Sequence, residues 1–310
     1  MITYLLLALG LGLLAWGGDI MVDGAVCLAR RLGVSTLLIG LTLVGFGTSS
    51  PELVSSIIAV FQGSDGIAVG NVVGSNIANI LLVLGAAAVI APVRVDKKQF
   101  HRDGTFLMGA TILLMAAIFA GHVNRALAMV FVATLCVYLI YSYISDRRAN
   151  TGAKSPDPET QNKNVAISTV KTIAGIALTI LGARLLVDNA ITLARDWGVS
   201  EATIGLTVVA IGTSLPELAT SVASALKKHN DVAFGNVVGS NIYNALFIIG
   251  VTALLAPITL PAGMTIDAII MTVVTMALVI LALWRGGISR GTGALFLVLY
   301  AIYTAYIYQT

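Results

Sequence analysis

The sequence is poor in charged residues and cysteine. Charged residues make up 11% of the 310 residues and the mean hydropathy is +0.94, whereas an average soluble domain is about 25% charged. This composition excludes a soluble globular protein and indicates a membrane protein with many spans. The two cysteines, Cys27 and Cys136, lie among apolar residues, which argues against a disulfide framework or a cysteine metal site. Because no basic residue precedes the first apolar run, we expect no cleaved signal peptide.

Ten apolar segments approach or exceed the length of about 20 residues that a helix needs to span a bilayer. They lie at 2–22, 36–61, 66–91, 104–120, 124–144, 165–187, 201–226, 231–256, 267–284 and 291–308. A polar linker, 146–164, separates the first five from the last five. We therefore predict an all-α membrane protein with ten transmembrane helices in two halves, 1–145 and 165–310. Since five is odd, the halves must be inverted five-helix repeats.

The basic residues fall mainly on one side of this arrangement. With the N-terminus outside, 15 of the 18 lysines and arginines lie on the inner side. The positive-inside rule therefore predicts a multi-pass protein of the cell (inner) membrane with both termini outside and a cytoplasmic linker. Asp23 and Asp188 fall near segment ends, where we expect them to be solvated or to cap helices.

Two blocks of the chain, 36–92 and 201–257, are near copies of each other, 165 positions apart. Between 33–92 and 198–257, 30 of 60 positions are identical. Each block contains Gly-Thr-Ser-x-Pro-Glu, ending at Glu52 or Glu217, and then Gly-Asn-Val-Val-Gly-Ser-Asn-Ile-x-Asn. Both glutamates fall near the middle of an apolar segment. A carboxylate at such a depth is costly and indicates a functional site.

A proline precedes each glutamate. Pro51 and Pro216 have no N–H group, so we predict broken helices at the membrane midplane, with freed backbone carbonyls near Thr48 and Thr213. Such carbonyls are tolerated in a membrane only where they line a cavity or bind a ligand. Hydroxyls and amides of the two blocks complete an oxygen-rich set: Thr48, Ser49, Thr213, Ser214, Ser75, Asn79, Ser240 and Asn244. Oxygen ligands favour a hard cation, whereas zinc or copper would favour His or Cys.

The remaining small and amide residues of the blocks have two possible roles. Gly70 and Gly74, and likewise Gly235 and Gly239, form small-xxx-small pairs that allow close helix approach. Four further asparagines either bond between helices or contact the cation: Asn71, Asn76, Asn236 and Asn241.

The two blocks resemble the α-repeats of the Ca²⁺/cation antiporter superfamily, most closely its prokaryotic Na⁺/Ca²⁺ exchangers. The resemblance implies that Glu52 and Glu217 coordinate Ca²⁺ together with the backbone oxygens of Thr48 and Thr213. It also implies flanking Na⁺ sites and a central position lined by Asn79 and Asn244. The Na⁺ ligands would be Ser49, Ser75, Ser214 and Ser240, with the carbonyls of Gly45 and Ala210. No cofactor, nucleic acid or obligatory protein partner is implied; the expected partners are Na⁺, Ca²⁺ and the lipid bilayer.

One departure from the superfamily pattern affects the expected ion coupling. Some relatives, including K⁺-dependent exchangers, have Asp where this chain has Asn244, so the asparagine favours K⁺-independent exchange. The resemblance further implies electrogenic transport if a third Na⁺ binds. H⁺/Ca²⁺ exchange or antiport of another divalent cation is the alternative. A cation channel and an intramembrane acid/base enzyme are more distant alternatives, and the sequence carries no metalloprotease or serine-hydrolase motif for the latter.

Overall fold

The computed structural model describes residues 2–150, 165–197, 210–260 and 262–307, and these are almost entirely helical. The helices of the first half include two π-helical stretches, named π1 and π2. In chain order the elements are α1 (Ile2–Leu32), α2 (Thr36–Ile39), π1 (Gly40–Val44), α3 (Gly45–Thr48), α4 (Ser50–Phe61), α5 (Asp65–Ala78), π2 (Asn79–Leu84), α6 (Gly85–Ile90), β1 (Val93–Arg94), α7 (Lys97–Ala120), β2 (His122–Val123) and α8 (Arg125–Asn150).

The second half repeats this order as far as it is described. Its elements are α9 (Val165–Asp196), α10 (Ala210–Thr213), α11 (Leu215–Leu226), α12 (Asn230–Ile242), π3 (Tyr243–Ile248), α13 (Ile249–Leu255), β3 (Ile258–Thr259), a short 3₁₀ helix (Ala262–Met264), α14 (Thr265–Arg285), β4 (Gly287–Ile288) and α15 (Arg290–Ile307).

Eight helical stretches of the described residues are long and apolar enough to cross a membrane. A bent pair, Thr36–Thr48 and Ser50–Phe61 with 41° between its parts, provides a ninth. The seventh predicted segment, 201–226, is described only from Ala210, and its first part, like 151–164 of the predicted linker, lies outside the described residues. An all-helical membrane protein is thus confirmed, and ten spans stay a prediction.

Several helices extend well beyond the apolar segments predicted from the sequence. Helix α1 continues to Leu32, α9 continues to Asp196, and α8 continues to Asn150, inside the predicted linker. The difference arises because hydropathy marks the lipid-embedded part of a helix and not its hydrogen-bonded ends. Asp23 and Asp188 therefore lie within helices, exposed as expected, but neither caps a helix end.

Helices α1 and α9 pack against each other along a line of glycines. A Cβ on Gly10 would lie 2.9 Å from the carbonyl oxygen of Gly182, and one on Gly17 would lie 3.0 Å from that of Gly175. The later residue of α1 contacts the earlier residue of α9, so the two helices run antiparallel. Gly10 matches Gly175 at the offset of 165, and Gly17 matches Gly182. The two contacts are therefore the same contact with the partners exchanged.

Two antiparallel strand pairs at the helix ends are also related by exchange of the matching residues of the two halves. Strand β1 pairs with β4 through Val93 and Ile288, and β2 pairs with β3 through Val123 and Ile258. At the offset of 165, Val93 matches Ile258 and Val123 matches Ile288. Each pair thus joins a strand of the first half to a strand of the second, so the halves are connected at two places.

The centre of the molecule is built by the stretches Asp65–Ile90 and Asn230–Leu255. Of their most apolar windows, 72% and 83% of residues are buried, against at most 44% in the other six unbroken spans of the described residues. These two stretches carry the second sequence motif of each block. The remaining helices surround them and expose apolar side chains outward, as lipid-facing helices do.

An ionic contact ties α1 to the end of α11. The Lys227 ammonium lies 2.7 Å from a carboxylate oxygen of Asp19 and 2.7 Å from one of Asp23. The matching positions of the other half are Gln62, Arg184 and Asp188, and there the described ion pair joins Arg184 to Asp188 within α9. The contact between α1 and α11 is therefore not repeated.

Candidate ion-binding site

Both Pro-Glu motifs lie at a break between two helices. Ser49 (φ −83°, ψ 3°) separates α3 from α4, and Ser214 (φ −88°, ψ 4°) separates α10 from α11. These angles lie outside the regular α-helical region. The proline stands in the first turn of the new helix, where its missing N–H is not needed, followed by Glu52 or Glu217. Each glutamate therefore lies in the first turn of a helix.

The two glutamates are buried, and a hydrogen bond connects the helix break beside one to the carboxylate of the other. Each is 1% exposed. The Ser49 hydroxyl donates a hydrogen bond of 3.3 Å to Oε1 of Glu217, which links the break of the first block to the acid of the second. The Oε2 atoms of both glutamates are buried without a described partner. Buried carboxylate oxygens need a cation or a donor, so these atoms mark a position for a ligand.

A second set of contacts crosses between the blocks at Thr48. Its hydroxyl donates to Oδ1 of Asn236 at 3.2 Å and lies 3.4 Å from Oγ of Ser240. The Ser240 hydroxyl donates in turn to the carbonyl oxygen of Gly45 at 3.5 Å. Thr48, Ser240 and Gly45, which the family resemblance assigns to the Ca²⁺ site and the flanking Na⁺ sites, are therefore neighbours, although they come from opposite blocks.

Close backbone approach makes these contacts possible. A Cβ on Gly235 would lie 2.6 Å from the carbonyl oxygen of Leu37, and one on Gly239 would fall on that of Leu41. The prediction of tight packing at small residues is confirmed for this pair. At Gly74 a Cβ would meet no described atom within 4 Å, and at Gly70 it would meet only the mobile end of a methionine.

The asparagines that follow each glutamate by 19 positions bond to protein groups. Nδ2 of Asn71 donates to the backbone carbonyl of Glu52 at 3.1 Å and to Oγ of Ser56 at 3.0 Å. Nδ2 of Asn236 donates to the Glu217 carbonyl at 3.3 Å and to Ser221 at 3.1 Å. Of the two roles that the sequence left open, interhelical hydrogen bonding applies to both.

Asn76 and Asn241 bond to each other's backbone. Nδ2 of Asn76 donates to the carbonyl of Asn241 at 3.4 Å, and Nδ2 of Asn241 donates to that of Asn76 at 3.1 Å. This reciprocal pair joins α5 to α12 at the centre of the molecule, and again interhelical bonding is the observed role.

Asn79 and Asn244 differ from the other asparagines of the blocks. Both are buried, and both amide atoms of each side chain have no described partner. Asn79 begins π2, and Asn244 lies in the first turn of π3. A π-helical turn inserts an extra residue and is frequent at functional sites. Nothing in the residue pattern predicted these turns.

The other predicted ligands are placed less completely. Ser75 and Ser240 are buried one helical turn before Asn79 and Asn244 respectively, and the buried Ser214 hydroxyl has no described partner. Thr213 is partly buried, and Ala210 is described only as the first residue of α10.

The arrangement offers oxygen atoms to a cation in an apolar interior. Two carboxylates on α4 and α11, several hydroxyls, and two side-chain amides on the turns π2 and π3 are all buried there. No group of three or more His, Cys, Asp and Glu side chains suited to a metal occurs in the described residues. The site therefore relies on two acids and neutral oxygens, which is chemistry for Ca²⁺ or an alkali cation.

Two buried acids, each beside a break in a membrane helix, are typical of a secondary cation transporter. The chain belongs to the sodium/calcium exchanger protein family, whose model matches residues 2–144 and 167–309. It is 32% identical to the sodium/calcium exchanger MaX1 of Methanosarcina acetivorans, over 99% of each chain. It is 34% identical to the inner membrane protein YrbG of Escherichia coli, over 93% of this chain and 90% of that protein.

A solved structure extends this similarity to the fold. The sodium-calcium exchanger NCX_Mj, soaked with Na⁺ and Ca²⁺, matches with a TM-score of 0.86 and 33% identity over 98% of each chain. The protein is thus a multi-pass membrane transporter of an antiporter family and not an enzyme. The family resemblance read from the two sequence blocks is confirmed.

Proposed function

We propose that this protein exchanges Na⁺ for Ca²⁺ across the cell (inner) membrane by alternating access, independently of K⁺ and with net movement of charge. The proposal rests chiefly on one observation: Ser49 of the first block donates to Oε1 of Glu217, while Oε2 of both glutamates and the amides of Asn79 and Asn244 are buried without a described partner. Unsatisfied buried oxygens are costly unless a ligand completes them. A dehydrated cation would do so.

The ligands in this proposal are those implied by the family resemblance. Ca²⁺ binds between Glu52 and Glu217 with the backbone oxygens of Thr48 and Thr213, beside the central amides. Na⁺ binds at flanking positions formed by Ser49, Ser75, Ser214, Ser240 and the carbonyls of Gly45 and Ala210. The contact of Thr48 with Ser240, and that of Ser240 with Gly45, support the grouping of these side chains.

The proposed topology has ten spans in two inverted halves, 1–145 and 165–310, with the linker 146–164 in the cytoplasm and both termini outside. The antiparallel contact of α1 with α9 supports inversion, because these are the first spans of the two halves. The exchanged contacts at the strand pairs support the same arrangement. Inverted repeats around a midplane site permit alternating access, since the roles of the halves can be interchanged.

Charge balance favours coupled exchange over a channel. Two ionised glutamates carry a charge of −2, which one Ca²⁺ or two Na⁺ would neutralise. An empty, doubly charged site is unfavourable in a low-dielectric interior. Reorientation is therefore favoured for the loaded site, and this is what obligatory antiport requires. Binding of a third Na⁺ would leave a net positive site and make transport electrogenic.

The test is ⁴⁵Ca²⁺ uptake by proteoliposomes loaded with Na⁺. We expect uptake driven by the Na⁺ gradient, and strongly reduced uptake in Glu52→Gln and in Glu217→Gln. Each variant removes one carboxylate from the bound cation. Removal of one partner from a buried pair of opposite charges costs about 3–5 kcal/mol, and a factor of ten corresponds to about 1.4 kcal/mol. The apparent Ca²⁺ affinity should thus fall by roughly 10²- to 10³-fold or more.

The exposed Asp188→Asn is the matched control, because it removes an equal charge outside the site and should transport like wild type. Uptake near wild type in either glutamine variant would contradict the assigned site. Uptake driven by an H⁺ gradient and not by Na⁺ would support the H⁺/Ca²⁺ alternative. Unitary current steps in a planar bilayer would support a channel.

A further inference from the structure

A cluster of basic side chains surrounds the β1–β4 strand pair. Two loops far apart in sequence, 93–98 and 285–290, are joined there by the pairing of Arg94 with Gly287 and by a hydrogen bond from Val95 N to Gly286 O at 2.9 Å. All five basic residues of these loops are exposed, and we call them the basic cluster: Arg94, Lys97, Lys98, Arg285 and Arg290.

The fold holds these residues together. Gly286 (φ 72°) has a left-handed conformation that favours glycine, and a Cβ on Gly287 (φ 149°) would fall on the carbonyl oxygen of Val93. The Lys97 ammonium donates to the Trp284 carbonyl at 2.7 Å, and the Arg285 guanidinium lies 5.8 Å from the centre of the Trp284 ring. Two cations are therefore held against the same tryptophan.

The basic cluster carries an excess of positive charge. None of its members forms an ion pair with a described residue, and the single acid of the loops, Asp96, accepts a hydrogen bond from the backbone N–H of Lys98. The loops thus carry five basic residues and one acid, a net charge of +4. Arg102 and Lys227, by contrast, each pair with aspartate. Five basic residues held together against one acid give this surface a positive potential, which attracts anions.

The repeated fold does not by itself produce this charge. The β2–β3 pair is the counterpart of β1–β4, and its matching loops, 120–125 and 258–263, contain one arginine, one histidine and no lysine. The basic cluster is therefore a property of one end of the molecule. It also lies at the level of the exposed Trp284, at the end of a membrane helix, where tryptophans favour the headgroup region.

We propose that the basic cluster binds the phosphate headgroups of anionic phospholipids, such as phosphatidylglycerol. Lysine and arginine clusters next to membrane helices attract anionic lipids, and guanidinium groups bind phosphate through paired hydrogen bonds. Lipid is the occupant favoured over free phosphate because the cluster adjoins a tryptophan at the membrane surface. The proposal is independent of the transported ions.

Trp284 offers a local readout. In a Trp16→Phe, Trp197→Phe background it is the only tryptophan, and its quenching by brominated lipid reports the lipid beside the cluster. The protein is reconstituted in phosphatidylcholine vesicles that contain a small, equal fraction of either brominated phosphatidylglycerol or brominated phosphatidylcholine. We expect the brominated phosphatidylglycerol to quench as if its local fraction were about threefold higher, and high salt should reduce this excess.

Two triple variants distinguish lipid binding at the basic cluster from a general effect of the positive charge on the predicted inner side. Arg94→Gln, Lys98→Gln, Arg290→Gln should lose the excess quenching, and it leaves both cations that contact Trp284 in place. The control removes three exposed basic residues outside the cluster, Arg30, Arg147 and Lys228, each replaced by Gln, and should keep the excess. Quenching is normalised to each variant without brominated lipid.

Three results would overturn the proposal. Equal quenching by the two brominated lipids in the unmodified cluster would show no preference for anionic lipid. An equal loss in the control variant would show a diffuse effect of net charge. Loss of the excess on adding inorganic phosphate at constant ionic strength would identify a soluble anion as the occupant.

Discussion

Replacement of Gly175 by Ala should force α1 and α9 apart. A Cβ on Gly175 would lie 2.5 Å from the backbone N of Met21 and 2.7 Å from its Cα, whereas ordinary contacts are 3.4–4 Å. The obstructing atoms are backbone, so the helices must separate by about 1 Å. Overpacking of this kind costs about 1–3 kcal/mol, and removal of a helical glycine returns up to about 1 kcal/mol. We expect a net destabilisation of about 1–2 kcal/mol.

A double-mutant cycle tests the contact itself. Gly17→Ala introduces a similar clash, 2.7 Å from Thr179 N and 3.0 Å from Gly175 O. One separation of the helices relieves both clashes, so the double variant should be less destabilised than the sum of the single variants by at least about 0.5 kcal/mol. The free energy of unfolding is measured by reversible SDS titration of the purified protein.

Gly12→Ala is the matched control on the same helix as Gly17, because its Cβ would meet no atom of the described residues within 4 Å. It should be neutral or slightly stabilising. If Gly12→Ala destabilises the protein as much as Gly175→Ala does, or if the effects of Gly17→Ala and Gly175→Ala are strictly additive, the direct packing of α1 on α9 is refuted.

Three further predictions concern the ends of the helices and the ions. Desolvation lowers the pKa of Lys227, but hydrogen bonds and charges of its two aspartate partners raise it more, so the net pKa lies above the ordinary value. Lys227→Gln should therefore have a lower Tm than the wild type at neutral pH. The difference in Tm should vanish only as the pH rises through the raised pKa of Lys227. Equal Tm values at neutral pH would contradict the ion pair. Replacement of K⁺ by choline should leave Ca²⁺ uptake unchanged, and a strict K⁺ requirement would overturn the interpretation of Asn244. Single cysteines at Gln62 and Lys97 should react with impermeant reagents from opposite sides of the membrane, whereas labelling from one side would refute the topology.

The sequence predicted features that depend on local chemistry. Proline cannot donate a backbone hydrogen bond, so the helix breaks beside Glu52 and Glu217 follow from the motif alone. The burial of both glutamates follows from the apolar segments around them. Repetition at a constant offset of 165 then predicted that the two motifs would be matched parts of one site.

Contacts between the blocks could not be predicted in this way. The hydrogen bond from Ser49 to Glu217 and that from Thr48 to Asn236 depend on how the halves are docked, which no local pattern specifies. The sequence showed that Asn71 and Asn236 follow the two glutamates at the same spacing. It did not show that their amide groups donate to backbone carbonyls, because this depends on how the neighbouring helices pack. The ligand roles of all these residues stay predictions.

The reciprocal bond between Asn76 and Asn241 has a consequence for the direction of transport. In the proposed mechanism, the outward and inward conformers are related by interchange of the halves, and this pair is mapped onto itself. Its strength thus contributes equally to both conformers and cannot make either one more populated. Only departures from pseudosymmetry can do so, and the unmatched link from Lys227 to α1 is one of them. In this mechanism, one contribution to the resting preference therefore comes from the periphery of the molecule, away from the proposed ion site.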